Sequence, residues 1–134
     1  MIVVDTNVLA YFFMRGEHTT AAEELYERDP KWVAPSLWRS EFRNLLAGYM
    51  RRDGLSLEKA CALQDAAQSL LDGEFESDSN SVLWLVSEST CSAYDCEFVS
   101  LAERLNVKLV TMDGKVRKAF PKIQFVVTTH SPQV

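Results

Sequence analysis

Two aspartates follow short apolar runs that are typical of buried strands. Asp5 comes directly after Ile2-Val3-Val4, and Asp113 comes directly after Lys108-Leu-Val-Thr-Met112. Buried strands exclude carboxylates, so we expect each aspartate to lie where its strand ends. In parallel sheets the carboxyl ends of the strands present ligands and catalytic groups. The two side chains are therefore candidates for a chemical site at that edge of a sheet.

Two further acidic residues occupy unusual positions on predicted helices. Glu41 lies four residues after Leu37 and four before Leu45, so it shares their apolar helix face. An unpaired carboxylate on a buried face is costly. Asp95 falls in the first turn of a helix, at the edge of an apolar stripe that begins at Tyr94. Both acids are candidates for the same site as Asp5 and Asp113.

Each carboxylate also has an ordinary structural explanation, and both explanations remain open for each residue taken alone. An aspartate or asparagine just before a helix caps its N-terminus, either directly or as part of a capping box. A glutamate can pack its stem and pair its carboxylate with an arginine. These alternatives apply to Asp5 or Asn7 before a helix near Val8, to Ser92 with Asp95, to Asp113, and to Glu41 with Arg15 or Arg39.

A cluster of four carboxylates suits a hard divalent cation. Without one, the charges repel each other and raise each other's pKa values. Mg²⁺ takes oxygen ligands and binds through few carboxylates plus substrate phosphates. Zinc is disfavoured because His18 and His130 lie far apart and the three cysteines have no Cys-x-x-Cys spacing. Such a site would polarise a phosphodiester and activate a water for in-line attack.

The elements that must position these residues alternate between strands and helices. That order predicts a three-layer α/β/α sandwich with a central parallel sheet, whose chemistry lies at the carboxyl ends of the strands. The predicted strands are 2–4, 32–34, 74–76, 108–112 and 123–127. The predicted helices start near Val8, at a capping box Thr20-Ala-Ala-Glu23 and at caps Ser36 and Ser56, and then span 80–89, 93–105 and 114–120.

Length and composition predict one domain over residues 1–127, followed by a tail over 128–134 that should fray. The longest apolar run, Val8 to Met14, is too short to span a bilayer, and the start does not resemble a signal peptide. Three cysteines without a pairing pattern are typical of a reducing compartment. We therefore expect a cytoplasmic protein that does not contact membranes.

Charge is distributed unevenly along the chain. The net charge of −5 argues against a protein that coats nucleic acid non-specifically. Residues 60–103 include nine acidic residues and no lysine or arginine, whereas residues 108–122 are mostly basic. Such an asymmetry either directs a polyanion to one side or forms only a solvated face. The basic residues considered for RNA binding are Arg39, Arg43, Lys115 and Lys118.

The chain resembles the PIN-domain nucleases, and in particular the VapC-like toxins of bacterial toxin–antitoxin pairs. The resemblance runs from Met1 to about Val127, nearly the whole chain. Its motifs are short individually, but their order and spacing together are fairly specific. They are Val3-Val4-Asp5-Thr6-Asn7, Arg39-Ser-Glu41-Phe-Arg-Asn-Leu-Leu, Tyr94-Asp95 leading to Leu101-Ala102, and Leu109-Val-Thr111-Met-Asp113.

The resemblance implies an endoribonuclease that depends on Mg²⁺ or Mn²⁺ and has a parallel sheet of about five strands. The family's acidic quartet falls on Asp5, Glu41, Asp95 and Asp113, as catalytic residues and metal ligands. Thr6 and Thr111 fall on hydroxyl positions that arrange the site, and Asn7 supports the turn. Family members are commonly homodimers inhibited by a small antitoxin whose tail enters the active-site groove.

Two other classes of function compete with this interpretation. A receiver-like module also gathers aspartates around Mg²⁺, but it needs two adjacent acids after the first strand, and Asp5 follows Val4. A PIN fold that serves mainly as an interaction partner would keep the architecture and lose catalysis. The complete quartet argues against that second alternative.

Overall fold

Five short parallel strands form the sheet on which the rest of the chain is arranged. The computed structural model describes residues 1–121 and the backbone of residues 125–126. The strands are β1 (Ile2–Val4), β2 (Trp32–Pro35), β3 (Gly73–Phe75), β4 (Lys108–Val110) and β5 (Phe125–Val126). The helices are α1 (Thr6–Phe13), α2 (Thr19–Arg28), α3 (Trp38–Asp53), α4 (Leu57–Leu70), α5 (Ser79–Ser87), α6 (Ala93–Leu105) and α7 (Gly114–Ala119).

The strand order β3-β2-β1-β4-β5 brings β1 and β4 side by side. The chain builds the sheet outward from β1 to β3 and then returns to the other side of β1, which creates a topological switch point. The Asp5 N–H donates to the Val110 carbonyl at 3.2 Å, so the pairing continues one residue beyond β1. The ends of β1 and β4 therefore meet where open α/β sheets bind ligands.

Helices cover both faces of the sheet. All three residues of β1 and all four of β2 are buried, although successive side chains of a strand point to opposite faces. Helix α6 packs against β1, β2 and β4 and carries α5 on its other side, whereas α1 contacts α2, α3 and α4. The predicted α/β/α sandwich with about five parallel strands is confirmed.

Several helix ends follow from local sequence signals. Gly54 ends α3 in the left-handed region at φ 70°, where a residue without a Cβ is favoured. The Ser56 hydroxyl accepts from the Lys59 N–H at 3.1 Å and caps α4. Helix α6 spans the predicted residues, with Ser92 as its N-cap. These signals act within one turn of the helix, so the sequence alone predicts them well.

Two predicted helix caps are wrong, one because of a tertiary contact and one because of a local turn. Helix α3 begins at Trp38, and the Ser36 hydroxyl donates to Glu76 at 3.2 Å. Helix α2 begins at Thr19 instead of after a capping box at Thr20, and His18 at its N-cap position makes no side-chain cap. The Thr19 hydroxyl accepts from the Gly16 N–H at 2.9 Å, which closes the preceding turn.

Part of the predicted C-terminal region lies outside the described residues. Of the strand predicted over 123–127, the structure describes residues 125–126. The tail predicted over 128–134 lies entirely outside. None of the helices in the described part of the chain is long and apolar enough to cross a lipid bilayer.

Glu74 of β3 ties the sheet to the start of α3. The Arg39 guanidinium donates to both carboxylate oxygens of Glu74 at 2.7 Å, and the indole N–H of the fully buried Trp38 donates to the same carboxylate. The hydrogen bonds from Arg39 hold the pKa of Glu74 below its ordinary value, although burial opposes the shift. This clamp sets the position of the helix that carries Glu41.

We expect Glu74→Ala to destabilise the fold more than Glu74→Gln does. Alanine leaves the buried Trp38 N–H without an acceptor, which costs about 1–3 kcal/mol, whereas glutamine keeps an oxygen there. Because folding lowers the pKa of Glu74, its contribution is present above the unfolded pKa near 4.5 and is lost as pH falls through the folded pKa. Urea unfolding at pH 7 and at pH 3 measures both effects. Equal stability of the two variants at pH 7 would contradict the role of the indole contact.

Candidate active site

A cleft of about 610 Å³ opens at the carboxyl ends of β1 and β4. All four acidic residues singled out from the sequence line it, although each belongs to a different element of the fold. Its other lining residues are Thr6, Asn7, Leu37, Ser40, Asn44, Leu45, Tyr94, Phe98, Leu109, Thr111 and Val116. The fold thus brings together side chains that are far apart in sequence.

Asp5 is held by two hydrogen bonds that leave part of its carboxylate available. One oxygen accepts from the Val8 N–H at 3.0 Å, which makes Asp5 the N-cap of α1, and the other accepts from the Thr111 hydroxyl. Burial raises the pKa of Asp5, although these two hydrogen bonds oppose the shift. The negative charges of Asp113 and Asp95 raise it further. An ionised carboxylate offers about four acceptor positions, so capping does not exclude a second role.

Thr111 connects the two strand ends at the switch point. Its hydroxyl donates to Asp5 and accepts from the Asp113 N–H at 3.0 Å. The side chain is buried, with an exposed fraction of 1%. One hydroxyl therefore fixes both the rotamer of Asp5 and the backbone that leads to Asp113.

Glu41 is oriented by a hydroxyl and not by an arginine. The Thr6 hydroxyl donates to its carboxylate at 2.6 Å. The two arginines considered from the sequence pair elsewhere: Arg15 with Glu23 at 3.2 Å, and Arg39 with Glu74. The alternative in which one of them neutralises Glu41 is therefore wrong.

The electrostatic environment of Glu41 is negative. Burial raises its pKa, the hydrogen bond from Thr6 opposes this, and the charges of Asp95, Asp5 and Glu97 add to the rise. Glu97 was missed by sequence reasoning, although it lies on the same helix as Asp95. Its carboxylate accepts from the Ser77 hydroxyl at 2.6 Å.

The capping explanations for Asp95 and Asp113 hold in part. Asp113 caps α7 by accepting from the Lys115 N–H at 2.9 Å. At α6 the cap is the Ser92 hydroxyl, which accepts from the backbone N–H of Asp95 at 3.0 Å. Both acidic side chains also line the cleft, so the caps hold them at its wall.

The donor set of the cleft suits a hydrated hard cation. Its potential ligands are carboxylate, hydroxyl and amide oxygens, with no histidine or cysteine among the lining residues. Across residues 1–121, no three or more Asp, Glu, His or Cys side chains form a group that could hold a metal ion by themselves. Mg²⁺ keeps several waters and binds through one or two carboxylates, so the residues fit that ion better than they fit a closed cage. The four-ligand set stays a prediction.

The basic residues suggested for RNA binding do not line the cleft. Arg39 belongs to the clamp with Glu74, which gives it a structural role. Arg43 is exposed and donates to Ser40, a lining residue, at 3.3 Å. Lys115 and Lys118 are exposed on α7, directly after Asp113. The role of these last three residues in RNA binding stays a prediction.

Three polar lining residues, Ser40, Asn44 and Tyr94, were not included in the predicted site. Ser40 and Asn44 flank Glu41 on one face of α3, and Tyr94 directly precedes Asp95. Helical spacing from Glu41 is the sequence signal that could have found the first two. Asn7 lines the cleft, and Asp5 rather than Asn7 caps α1. The predicted role of Asn7 in supporting the turn stays a prediction.

Comparison with known protein families shows to which family the chain belongs. The PIN domain family profile matches residues 2–121, a range that includes all four acidic residues. This chain belongs to the PIN-domain family. The receiver-like alternative is thereby removed.

Known proteins similar to this PIN domain include a ribonuclease and toxin–antitoxin complexes. Ribonuclease VapC3 from Pyrobaculum aerophilum is 27% identical over 135 residues, which cover 91% of this chain and 96% of that protein. A toxin–antitoxin complex from Klebsiella pneumoniae matches with a TM-score of 0.72 at 15% identity, covering 96% of this chain and 98% of that chain. VapBC2 from Rickettsia felis, bound to a promoter DNA fragment, matches with a TM-score of 0.69 at 20% identity, covering 95% and 98%. At these identities, the two structures share the fold of this PIN domain.

Proposed function

We propose that this PIN domain is a metal-dependent endoribonuclease that cleaves RNA phosphodiester bonds and acts as the toxin of a type II toxin–antitoxin pair. The observation that carries the proposal is the cleft lined by four carboxylates from four separate elements. Similarity to a protein named as a ribonuclease supports the reaction class. Similarity in fold to toxin–antitoxin complexes supports the toxin role and a small antitoxin partner.

Mg²⁺ or Mn²⁺ would be held by carboxylates from the set Asp5, Glu41, Asp95 and Asp113. When bound, such a cation polarises a phosphodiester and lowers the pKa of a bound water, which prepares an in-line attack. Burial raises the pKa values of Asp5 and Glu41, and repulsion from neighbouring carboxylates adds to the rise. A bound cation would relieve that repulsion, which supports this assignment.

The remaining residues of the site keep the carboxylates in place. Thr111 orients Asp5, and Thr6 orients Glu41, each through its hydroxyl. Partners that orient metal ligands in this way typically matter about 10- to 100-fold for metal affinity or activity. The apolar residues Phe98 and Val116 line the same cleft.

Incubation of the purified protein with structured and unstructured RNAs, with Mg²⁺, Mn²⁺ or EDTA, tests the proposed reaction. We expect cleavage with metal and none in EDTA, with the cut ends mapped by sequencing. The Asp5→Asn variant, purified in parallel, controls for contaminating ribonucleases. Absence of cleavage under all conditions would favour the alternative of an interaction protein with little catalysis.

Neutralising Arg43 and Lys118 together should weaken RNA binding and flatten its salt dependence. Each phosphate contact to a single strand contributes about 0.7 to the slope of log affinity against log salt. We therefore expect the slope of the Arg43→Gln/Lys118→Gln variant to fall by up to about 1.4, measured by fluorescence anisotropy across a salt series. Lys59→Gln on α4, an exposed lysine outside the cleft, is the matched control. An unchanged slope would indicate that these residues only form a solvated surface and do not bind RNA.

A homodimer is a further part of the proposal. The sequence argument for it is the abundance of apolar side chains around Trp38 to Tyr49 and around Val82 to Val86. In the first segment, however, Trp38, Phe42 and Leu46 are used in the chain's own core. The large exposed apolar side chains of α5 are Leu83 and Trp84, each 61% exposed. Light scattering at tens of micromolar should give about twice the chain mass of 15.2 kDa. A mass equal to one chain would defeat this prediction.

The cytoplasmic location of the protein also stays a prediction.

A further inference from the structure

Tyr94 places an exposed aromatic ring at the wall of the acidic cleft. The residue lies in the first turn of α6, directly before Asp95, and its exposed fraction is 62%. Among the described residues, its hydroxyl makes no hydrogen bond within the chain and its ring packs against no other aromatic ring. The ring is therefore available to a ligand that enters the cleft.

The cleft offers little to a phosphate backbone apart from a bound cation. Four of its lining residues are carboxylates, and none is a lysine or an arginine. A polyanion is repelled by such walls, so contacts inside the cleft must come from groups without negative charge. The hydroxyls of Thr6 and Thr111 already donate to the carboxylates. The other uncharged polar side chains that line the cleft are Tyr94, Asn7, Asn44 and Ser40.

These groups match the chemistry of a nucleobase. An aromatic ring stacks on the π-face of any unpaired base, and amide and hydroxyl groups hydrogen-bond to base edges and to ribose. The cleft volume of about 610 Å³ lies in the range of sites that enclose small ligands. A base within a duplex is stacked on both faces, so only an unpaired base can use the Tyr94 ring.

We propose that Tyr94 is a stacking platform for one unpaired nucleobase next to the phosphate that is cleaved. This inference rests on the proposed ribonuclease function and assigns to it a residue that selects the substrate. Tyr94 selects the substrate through the ring, while the adjacent carboxylates carry the chemistry. The hydroxyl of Tyr94 has no part in this role, so phenylalanine should replace tyrosine.

Cleavage of a single-stranded oligoribonucleotide with one mapped site tests the platform. We expect Tyr94→Leu, which keeps an apolar side chain without a ring, to lower kcat/KM by about five- to 150-fold, and Tyr94→Phe to stay near wild type. Tyr49→Leu removes an exposed ring outside the cleft and serves as the matched control. Thermal melting shows that each variant folds.

An abasic nucleotide at each position next to the cut, one at a time, identifies the stacked base. At that position the abasic substitution should reduce wild-type cleavage by a similar factor and should have little further effect in Tyr94→Leu. Wild-type activity of Tyr94→Leu, or equal abasic losses in both proteins, would overturn the platform. Equal cleavage of the paired and unpaired forms of the same strand would overturn it too.

Binding separates failure of the platform from failure of the proposed function. Anisotropy of the same labelled strand is measured in the Asp5→Asn background, with and without Tyr94→Leu, where cleavage does not interfere. If the wild-type protein cleaves no RNA but Tyr94→Leu still weakens binding about five- to 150-fold, the ribonuclease proposal is refuted and the stacking platform is supported. If binding is unaffected by the leucine, the platform is overturned whatever the protein cleaves.

Discussion

Asp5→Asn should lower the rate of RNA cleavage by about a thousandfold. Charge stabilisation of the transition state by a bound metal contributes several kcal/mol, and each 1.4 kcal/mol corresponds to about a tenfold change in rate. Asparagine keeps the side-chain shape and can still accept from the Val8 N–H, so the cap of α1 survives. The substitution removes the negative charge of the carboxylate that the Thr111 hydroxyl orients. Single-turnover cleavage of a mapped oligonucleotide with millimolar Mn²⁺ measures the effect.

Asp65→Asn provides a matched control for this substitution. Asp65 is exposed on α4 and does not line the cleft, so the same chemical change there should leave cleavage near the wild-type rate. Glu41→Gln should behave as Asp5→Asn does, because it removes a charge from the same cleft and keeps an oxygen for the Thr6 hydroxyl. Residual activity of both site variants above a tenth of wild type would remove these carboxylates from the reaction.

Metal should stabilise the wild-type protein and should stabilise Asp5→Asn much less. Binding to the native state alone adds about 2.7 kcal/mol at a hundredfold excess of ion over the dissociation constant. In EDTA at pH 7, where no cation is bound, we expect Asp5→Asn to be at least as stable as wild type. Burial raises the pKa of Asp5, so its ionised form costs stability in the folded state, and asparagine has no such cost. Thermal melts with EDTA and with Mn²⁺ measure both the stabilisation by metal and the relative stability of the two proteins without it.

The alternatives predict different melting behaviour. If Asp5 served only as a cap, asparagine would cap as well as aspartate and the melts would not depend on metal. Glu41→Gln extends the test, because burial and neighbouring charges raise the pKa of Glu41 in the same way. Wild-type melting that ignores metal, together with a Glu41→Gln variant several degrees less stable, would refute the cation site. Asp65→Asn, with its exposed carboxylate, should leave the melts unchanged with and without metal.

The sequence by itself determined the alternation of strands and helices, the end of β1 that carries Asp5, and the bounds of α6. It predicted the strand before Asp113 two residues too long, because β4 ends at Val110. These features depend on interactions within one turn or on the burial of a short run. Apolar periodicity and caps such as Ser92 encode them locally. The four acidic residues could be singled out for the same reason, because each departs from its local pattern.

Only the tertiary structure decided which side chains are partners across the sequence. Glu41 meets Thr6 and not an arginine, Arg39 is taken by Glu74, and the Ser36 hydroxyl turns to Glu76 instead of capping α3. Each of these contacts joins residues at least 35 positions apart. Local spacing carries no information about such pairs, because they form only when the sheet order has brought the elements together. The strand order also placed β4 beside β1, and with it Thr111 beside Asp5.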